Sequence, residues 1–315
     1  MTRIRTDTVQ GIASVRMPAS LDSYFGVALR LGRVSNLPTV WTNALAGIAL
    51  AGASPWQPAT VLVLLALSLF YVGGMYLNDA FDREIDACER PSRPIPSGQV
   101  TVGTVFAAGF AMILAGLALV VPAAHIAGAD GTEAAVLAAV SLGGGILAYD
   151  WRHKGKWFSP LLMGACRVLA YLTAGLALAG VATPALLAAA AVALSYLIGL
   201  TYIAKQETLG RVRNLWPLLF LAAPLPYGAG LLTTGPSGWA TGLLLLALLA
   251  WIAVALALLR RRQAGDIPRA VVSLIAGIAL LDALFLAGHG EMAAVVVALA
   301  CFAATLALQR WISGT

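Results

Sequence analysis

Charge is what this chain has least of. Only 11% of its residues are Asp, Glu, Lys or Arg, against roughly a quarter in ordinary soluble domains. Polar side chains are too few to coat a globule of 315 residues that is 60% hydrophobic, so a soluble fold is excluded and the chain reads as an integral membrane protein. Cysteine is also scarce. Cys88, Cys166 and Cys301 stand singly, which indicates neither a disulfide framework nor a zinc site. The net charge of +6 does not point to nucleic acid, because the basic residues sit in short loops instead of forming a stripe. The stretch from Met1 to about Leu21 holds Arg3, Arg5 and Arg16 but lacks the apolar core of a signal peptide. Residues 1–26 are expected to be a cytosolic arm and 27–315 one transmembrane domain.

What is present instead is long apolar runs. A bilayer core of about 30 Å needs roughly 20 apolar residues per helix, and candidate spans fall at about 35–53, 58–78, 102–122, 133–149, 160–180, 183–203, 215–232, 237–259, 269–287 and 291–311. The expectation is an all-α integral membrane bundle of ten spans, or nine if the last pair is miscounted. The loops after the second, fourth, sixth and eighth spans carry Arg83/Arg90/Arg93, Arg152/Lys154/Lys156, Lys205/Arg211/Arg213 and Arg260/Arg261/Arg262, while loops such as Gly52-Ala53-Ser54-Pro55 have no basic residue. Short basic loops stay cytoplasmic, which places both termini on the cytoplasmic side of the bilayer. Small residues such as Gly143-Gly144-Gly145 suit close helix packing. Pro217, Pro224 and Pro226 are expected to bend or interrupt the seventh span.

The chemistry concentrates in Asn78-Asp79-Ala80-Phe81-Asp82-Arg83-Glu84-Ile85-Asp86, followed by Glu89-Arg90-Pro91-Ser92-Arg93-Pro94-Ile95-Pro96-Ser97-Gly98. Spacings of i, i+3 and i+7 put three aspartates on one face of a helix. Carboxylates gathered at a membrane surface are solvated, paired or holding cations. Hard oxygen ligands beside a basic loop are what a magnesium-bound diphosphate requires; a solvated helix end is the plainer alternative. The second cytoplasmic loop adds Tyr149, Asp150, Arg152, His153 and Lys154, and the third Tyr202, Lys205, Gln206, Glu207, Arg211 and Arg213. Carboxylate-held Mg²⁺ with Lys and Arg would neutralise charge on a departing diphosphate. The allylic carbocation so formed needs a dry pocket, which Trp41, Tyr76, Phe81 and Tyr171 are candidates to line.

Polar residues inside the spans are weighed separately. Arg167 lies about two turns into the fifth span, where a charge costs about 2.5–3.5 kcal/mol on insertion scales; it reaches either the diphosphate or an acidic partner, or snorkels. Asn36 and Asn43 start the first span and are placed to hydrogen-bond an acceptor substrate, with interhelical bonding the alternative for Asn43. Asp282 is buried in the ninth span with no assigned role. His125 and His289 read as outer-side surface residues.

Asn78-Asp79-x-x-Asp82-x-x-x-Asp86, the Arg90-Pro91-x-Arg93-Pro94-x-Pro96-Ser97-Gly98 continuation and the stretch Tyr149 to Lys154 together resemble the UbiA superfamily of intramembrane prenyltransferases, over roughly residues 27–290. The resemblance implies a helical bundle around a central cavity capped by cytoplasmic loops. It also implies Mg²⁺-dependent transfer of a prenyl group from an isoprenyl diphosphate to a lipophilic, often aromatic, acceptor in the bilayer. By that carry-over Asn78, Asp79, Asp82 and Asp86 form the metal and diphosphate cradle, and Arg90, Arg93 and Lys154 contact the diphosphate. The second aspartate motif of that superfamily is replaced by Leu200-Thr201-Tyr202-Ile203-Ala204-Lys205-Gln206-Glu207-Thr208. Glu207 is left as a metal ligand and Lys205 to stand in for a second cation. This pattern, with Ser159-Pro160 and Met163-Gly164-x-Cys166-Arg167, resembles the EboC-like branch found in bacterial gene clusters, and a bacterial cytoplasmic membrane is the expected location. A non-catalytic carrier of a lipophilic metabolite on the same bundle is the second reading.

Overall fold

The computed structural model describes residues 24–152, 156–206, 214–261, 263–312 and 314. Among these residues there are α-helices but no strands. In chain order they are α1 (Tyr24–Leu31), α2 (Pro38–Leu50), α3 (Pro58–Phe81), α4 (Arg83–Glu89), α5 (Val102–Ala127) and α6 (Thr132–Arg152). Then follow α7 (Ser159–Ala179), α8 (Pro184–Ala204), α9 (Pro224–Thr234), α10 (Gly238–Arg261), α11 (Asp266–Gly288) and α12 (Met292–Leu308). The helix ends follow local chemistry. Proline occupies the first turn of α2, α3, α7 and α8, where its missing N–H costs nothing. Thr101 and Thr183 cap α5 and α8 by accepting from the amides of Thr104 and Leu186. Gly128 and Gly180, at φ 64° and 71°, close α5 and α7 in the left-handed region.

Each of the ten apolar runs forms helix, and among the described residues eight helical segments are long and apolar enough to cross a membrane. The other two runs form α2, with 13 residues, and α12, with 17. At 1.5 Å per residue these reach about 20 and 26 Å, less than a hydrocarbon core. The seventh run is interrupted as its prolines foretell: a 3₁₀ segment, Trp216–Ala222, precedes α9. Ser195 donates to the Phe220 carbonyl at 2.8 Å, satisfying backbone that a regular helix would have satisfied. α1 starts at Tyr24 and runs across residue 27, where the transmembrane domain was expected to begin.

Two apolar cores meet side by side. One is built by α3, α5 and α6, the other by α8, α10, α11 and α12, and α2 and α7 contribute to both. The seam between them is the crossing of α2 with α7. An added Cβ at Gly47 would lie 2.6 Å from the Tyr171 carbonyl oxygen, and one at Gly175 would lie 2.8 Å from the Gly47 carbonyl oxygen. Backbone therefore touches backbone, which only glycine permits. α11 is the most enclosed helix, with every residue from Ala276 to Gly288 buried. A helix apolar all round belongs in a bundle centre.

Gly47→Ala is expected to destabilise the purified protein by about 1–3 kcal/mol through overpacking. Gly103→Ala, where an added Cβ meets nothing within 4 Å, should not. Thermal unfolding in one detergent compares the two directly.

Candidate functional site

The aspartate stretch does not form one continuous helix. α3 ends at Phe81, α4 begins at Arg83, and Asp82 joins them at φ −83°, ψ −1°. Helical hydrogen bonding nonetheless runs through the joint, since the Asp82 amide donates to the Asn78 carbonyl at 3.0 Å and Asp82 accepts from the Asp86 amide at 2.9 Å. A ψ near zero turns the chain without breaking that ladder. Asn78, Asp79, Asp82 and Asp86 are all buried as a result.

Buried carboxylates need partners. Arg93 Nη1 lies 2.7 Å from Asp86 Oδ2 and 3.1 Å from Asp79 Oδ1, and so ties the loop after α4 back to both helices. Arg33 Nη2 reaches the same Asp79 oxygen at 2.8 Å and Asn78 Oδ1 at 3.3 Å. Burial is the largest single influence on the Arg33 charge and works against it, but Asp79 together with Tyr71, Tyr149 and Asp150 outweighs it, so its guanidinium pKa lies above the ordinary value. Arg33 is also left-handed, at φ 43° and ψ 45°, a conformation that costs an L-residue roughly 1–2 kcal/mol. The Tyr71 hydroxyl donates to its carbonyl at 3.1 Å and holds the turn. Asn78 Nδ2 donates to Asp150 Oδ1 at 3.2 Å. Among the described residues, Asp150 Oδ2 is buried without a hydrogen-bond partner.

Most of these groups border a cavity of about 490 Å³, but Asp79 lies behind its lining and Asp150 lines a smaller neighbouring pocket. Arg33, Asn78, Asp82, Asp86, Arg90, Arg93, Tyr149, Arg167 and Lys205 all line it. The lining also carries an aliphatic wall, with Leu197 and Leu200 from α8 and Val271, Ile275 and Ile278 from α11. Its lining counts five basic side chains to three acidic ones, Asp82, Asp86 and Glu89. A smaller apolar pocket of about 110 Å³ between α3, α6 and α7 shares Tyr71, Met75, Tyr149, Met163 and Arg167 with it. Partial burial lowers the Lys205 ammonium below its ordinary range, and Lys205 Nζ donates to the Lys156 carbonyl.

The remaining candidates lie elsewhere. Asn43 is fully buried behind the cavity wall and bonds Asp282, Tyr171 and Arg167. The Tyr202 hydroxyl accepts from the Asn214 amide at 3.1 Å and is not part of the lining. Asn36 lines the cavity, but its amide donates to the Gly314 carbonyl and accepts from Gln309. Lys154, Glu207, Arg211 and Arg213 fall outside the described residues. The expected aromatic lining is corrected. Trp41 donates to Ser68, Tyr76 to the Ala28 carbonyl, Phe81 packs edge-on against Phe106, and Tyr171 is enclosed. Each faces a neighbouring helix, and the cavity's aromatics are Tyr71 and Tyr149. Sequence reasoning missed Arg33 and Tyr71. An arginine just before an apolar run reads as a topology signal, and only the tertiary fold shows it turned inward.

The family profile described as UbiA prenyltransferase family matches residues 38–275. The chain belongs to this family. The match holds the whole cavity lining except Arg33, Asn36, Ile278 and Gly314. Among curated UbiA-like relatives, a digeranylgeranylglyceryl phosphate synthase of Sulfolobus acidocaldarius is 33% identical over 94 residues, covering 30% of this chain and 34% of that one. One of Methanothrix thermoacetophila is 39% identical over 89 residues, covering 28% and 33%. A chloroplastic chlorophyll synthase of Oryza sativa subsp. japonica is 31% identical over 158 residues, covering 47% and 41%. The chain thus spans between a third and two fifths of these relatives' lengths in the aligned stretches. A solved structure, from work described as structural and mechanistic insights into the biosynthesis of digeranylgeranylglyceryl phosphate synthase in membranes, superposes with a TM-score of 0.58 at 18% identity. It covers 86% of this chain and 99% of that one, so the UbiA-type bundle is the shared fold.

Arg93→Gln should destabilise the protein by about 3–5 kcal/mol, because it leaves Asp86 buried beside no counter-charge. Adding Asp86→Asn should recover part of that loss. Thermal unfolding of the single and double variants measures the coupling, expected above about 1 kcal/mol for residues in contact.

Proposed function

We propose that this chain is an intramembrane prenyltransferase that moves a prenyl group from an isoprenyl diphosphate to a lipophilic acceptor. The observation that carries the reading is the division of one cavity into a charged wall and an aliphatic wall. An isoprenyl diphosphate has the same two halves. The surplus of basic groups suits its anionic head, and Leu197, Leu200, Ile275 and Ile278 suit its tail. Names of the relatives support the same class, two being synthases of a prenylated glyceryl phosphate and one of chlorophyll.

Magnesium is part of the proposal. Among the described residues no three His, Cys, Asp or Glu side chains stand close enough to cage a metal by themselves. That suits Mg²⁺, which is commonly held by one or two carboxylates together with substrate phosphates. Asp82 and Asp86, with the Asn78 amide oxygen, lie on the cavity lining and make a hard-oxygen donor set of that kind. When bound, the ion would polarise the diphosphate and stabilise its negative charge on departure.

The protein's own residues do the rest. Arg33 and Arg93 hold Asp79 in place, and Arg90, Arg167 and Lys205 meet the diphosphate oxygens. The bond between prenyl C1 and the diphosphate oxygen breaks with its electron pair going to the diphosphate. C1 then bonds to an electron-rich atom of the acceptor, whose proton passes to the released diphosphate. The aliphatic wall excludes water that would otherwise capture the allylic cation. The charged mouth faces the cytoplasm in this proposal, on the side of the basic loops.

Membranes containing the protein should transfer label from labelled geranylgeranyl diphosphate when Mg²⁺ is present. Chelation with EDTA should stop the transfer and added Mg²⁺ restore it. Asp82→Asn should lower the rate by about 10²–10³-fold, the usual cost of losing one preorganised charge contact. An undiminished rate would remove Asp82 from the chemistry. Biological activity surviving replacement of Asp79, Asp82 and Asp86 together, with the protein still in the membrane, would favour the non-catalytic carrier. In the aliphatic wall, Leu200→Trp should raise KM more for geranylgeranyl than for geranyl diphosphate.

A further inference from the structure

Asp282 sits in the C-terminal half of α11, in the most enclosed part of the bundle, and is fully buried. Three donors surround its carboxylate. Thr42 Oγ1 donates to Oδ2 at 2.5 Å, Asn43 Nδ2 donates to Oδ2 at 2.7 Å, and the Tyr171 hydroxyl donates to Oδ1. None of these donors carries a full positive charge, so the carboxylate still lacks a counter-ion beside it. The nearest link to one runs through Asn43. Its amide nitrogen faces Asp282 and Tyr171, while its Oδ1 accepts from Arg167 Nη1. The same Nη1 also reaches the Thr39 carbonyl at 3.5 Å. Arg167 in turn lines both the cavity and the apolar side pocket.

An amide that donates to an anion and accepts from a cation is polarised in one direction by both. Reversing the Asn43 amide would point N–H groups at the guanidinium and the carbonyl at the carboxylate, so charge fixes its orientation. The chain carboxylate, amide, guanidinium thus crosses from α11 through α2 to α7 and ends at the cavity wall. A guanidinium with one nitrogen pinned to protein has fewer rotamers to lose when an anion arrives, which is preorganisation. We propose that Asp282, acting through Asn43, is a positioning residue that fixes Arg167 at the cavity wall for binding the substrate diphosphate. Asp282 does not touch the cavity and is not a catalytic group. The inference rests on the isoprenyl diphosphate reading above.

The test is a cycle of variants in purified full-length protein, measured by binding of geranylgeranyl diphosphate with Mg²⁺. Asp282→Asn, Asn43→Ala and Arg167→Gln should each weaken binding about tenfold. The double variant Asp282→Asn with Arg167→Gln should bind no more weakly than Arg167→Gln alone, since the first residue acts only through the second. Thr42→Val, which removes one bond to Asp282 and keeps the Asn43 bridge, should bind within about twofold of the wild type. Multiplying losses in the double variant would overturn the inference, because a merely structural Asp282 would harm the protein whatever stood at 167. If Asp282→Asn does not fold, the contrast between Asn43→Ala and Thr42→Val decides the matter, and equal binding by those two overturns it. Binding by wild type that Asp282→Asn leaves unchanged overturns this inference alone. Failure of the wild-type protein to bind the diphosphate at all overturns the proposed function together with it.

Discussion

Arg93 stands between Asp79 and Asp86, and that placement governs the whole charged wall. Two carboxylates on different helices cannot remain ionised and buried near each other without a cation between them. With Arg93 in that position and Arg33 on the far side of Asp79, α3, α4, the loop after α4 and the turn before α2 are tied to one point. Asp82 and Asp86 are thus presented to the cavity by a fixed frame and not by a mobile loop. The strained Arg33 backbone belongs to the same frame, since its left-handed turn brings the guanidinium inward where a regular helix end would send it to the surface.

The two apolar cores explain why the charge lies where it does. The cavity draws its lining from both groups of helices, with α3 and α4 supplying charge and α8 and α11 supplying aliphatic side chains. The glycine crossing of α2 and α7 pulls the halves together further along the same seam. Close packing there and open space at the charged end are complementary outcomes of one arrangement of helices.

Much of this was legible in the residues. Apolar run length located all ten runs, and prolines 217, 224 and 226 foretold the break before α9. The aspartate spacing located the charged wall, although it implied one helix where Asp82 makes a joint. Side-chain partners were far less legible. Tyr171 and Asn43 are polar residues in apolar runs, and sequence alone gives no way to tell a pocket lining from a bond to a helix 239 residues away. Arg33 looked like an ordinary flanking charge because its inward turn depends on Asp79 and Tyr71, contacts 46 and 38 residues distant. Local pattern specifies which face is apolar; it does not specify which polar atom meets which.

The bond between Asn36 and Gly314 bridges 278 residues, and Asn43 reaches 239 residues to Asp282. During synthesis at roughly 5–20 residues per second, α2 leaves the ribosome some ten to fifty seconds before α11 follows. Through that interval its buried amides and hydroxyls must be satisfied by water, the insertion machinery or provisional neighbours. α2 can therefore pack on α3 and cross α7 well before it meets α11, and the polar seam behind the cavity closes only once α11 has been made.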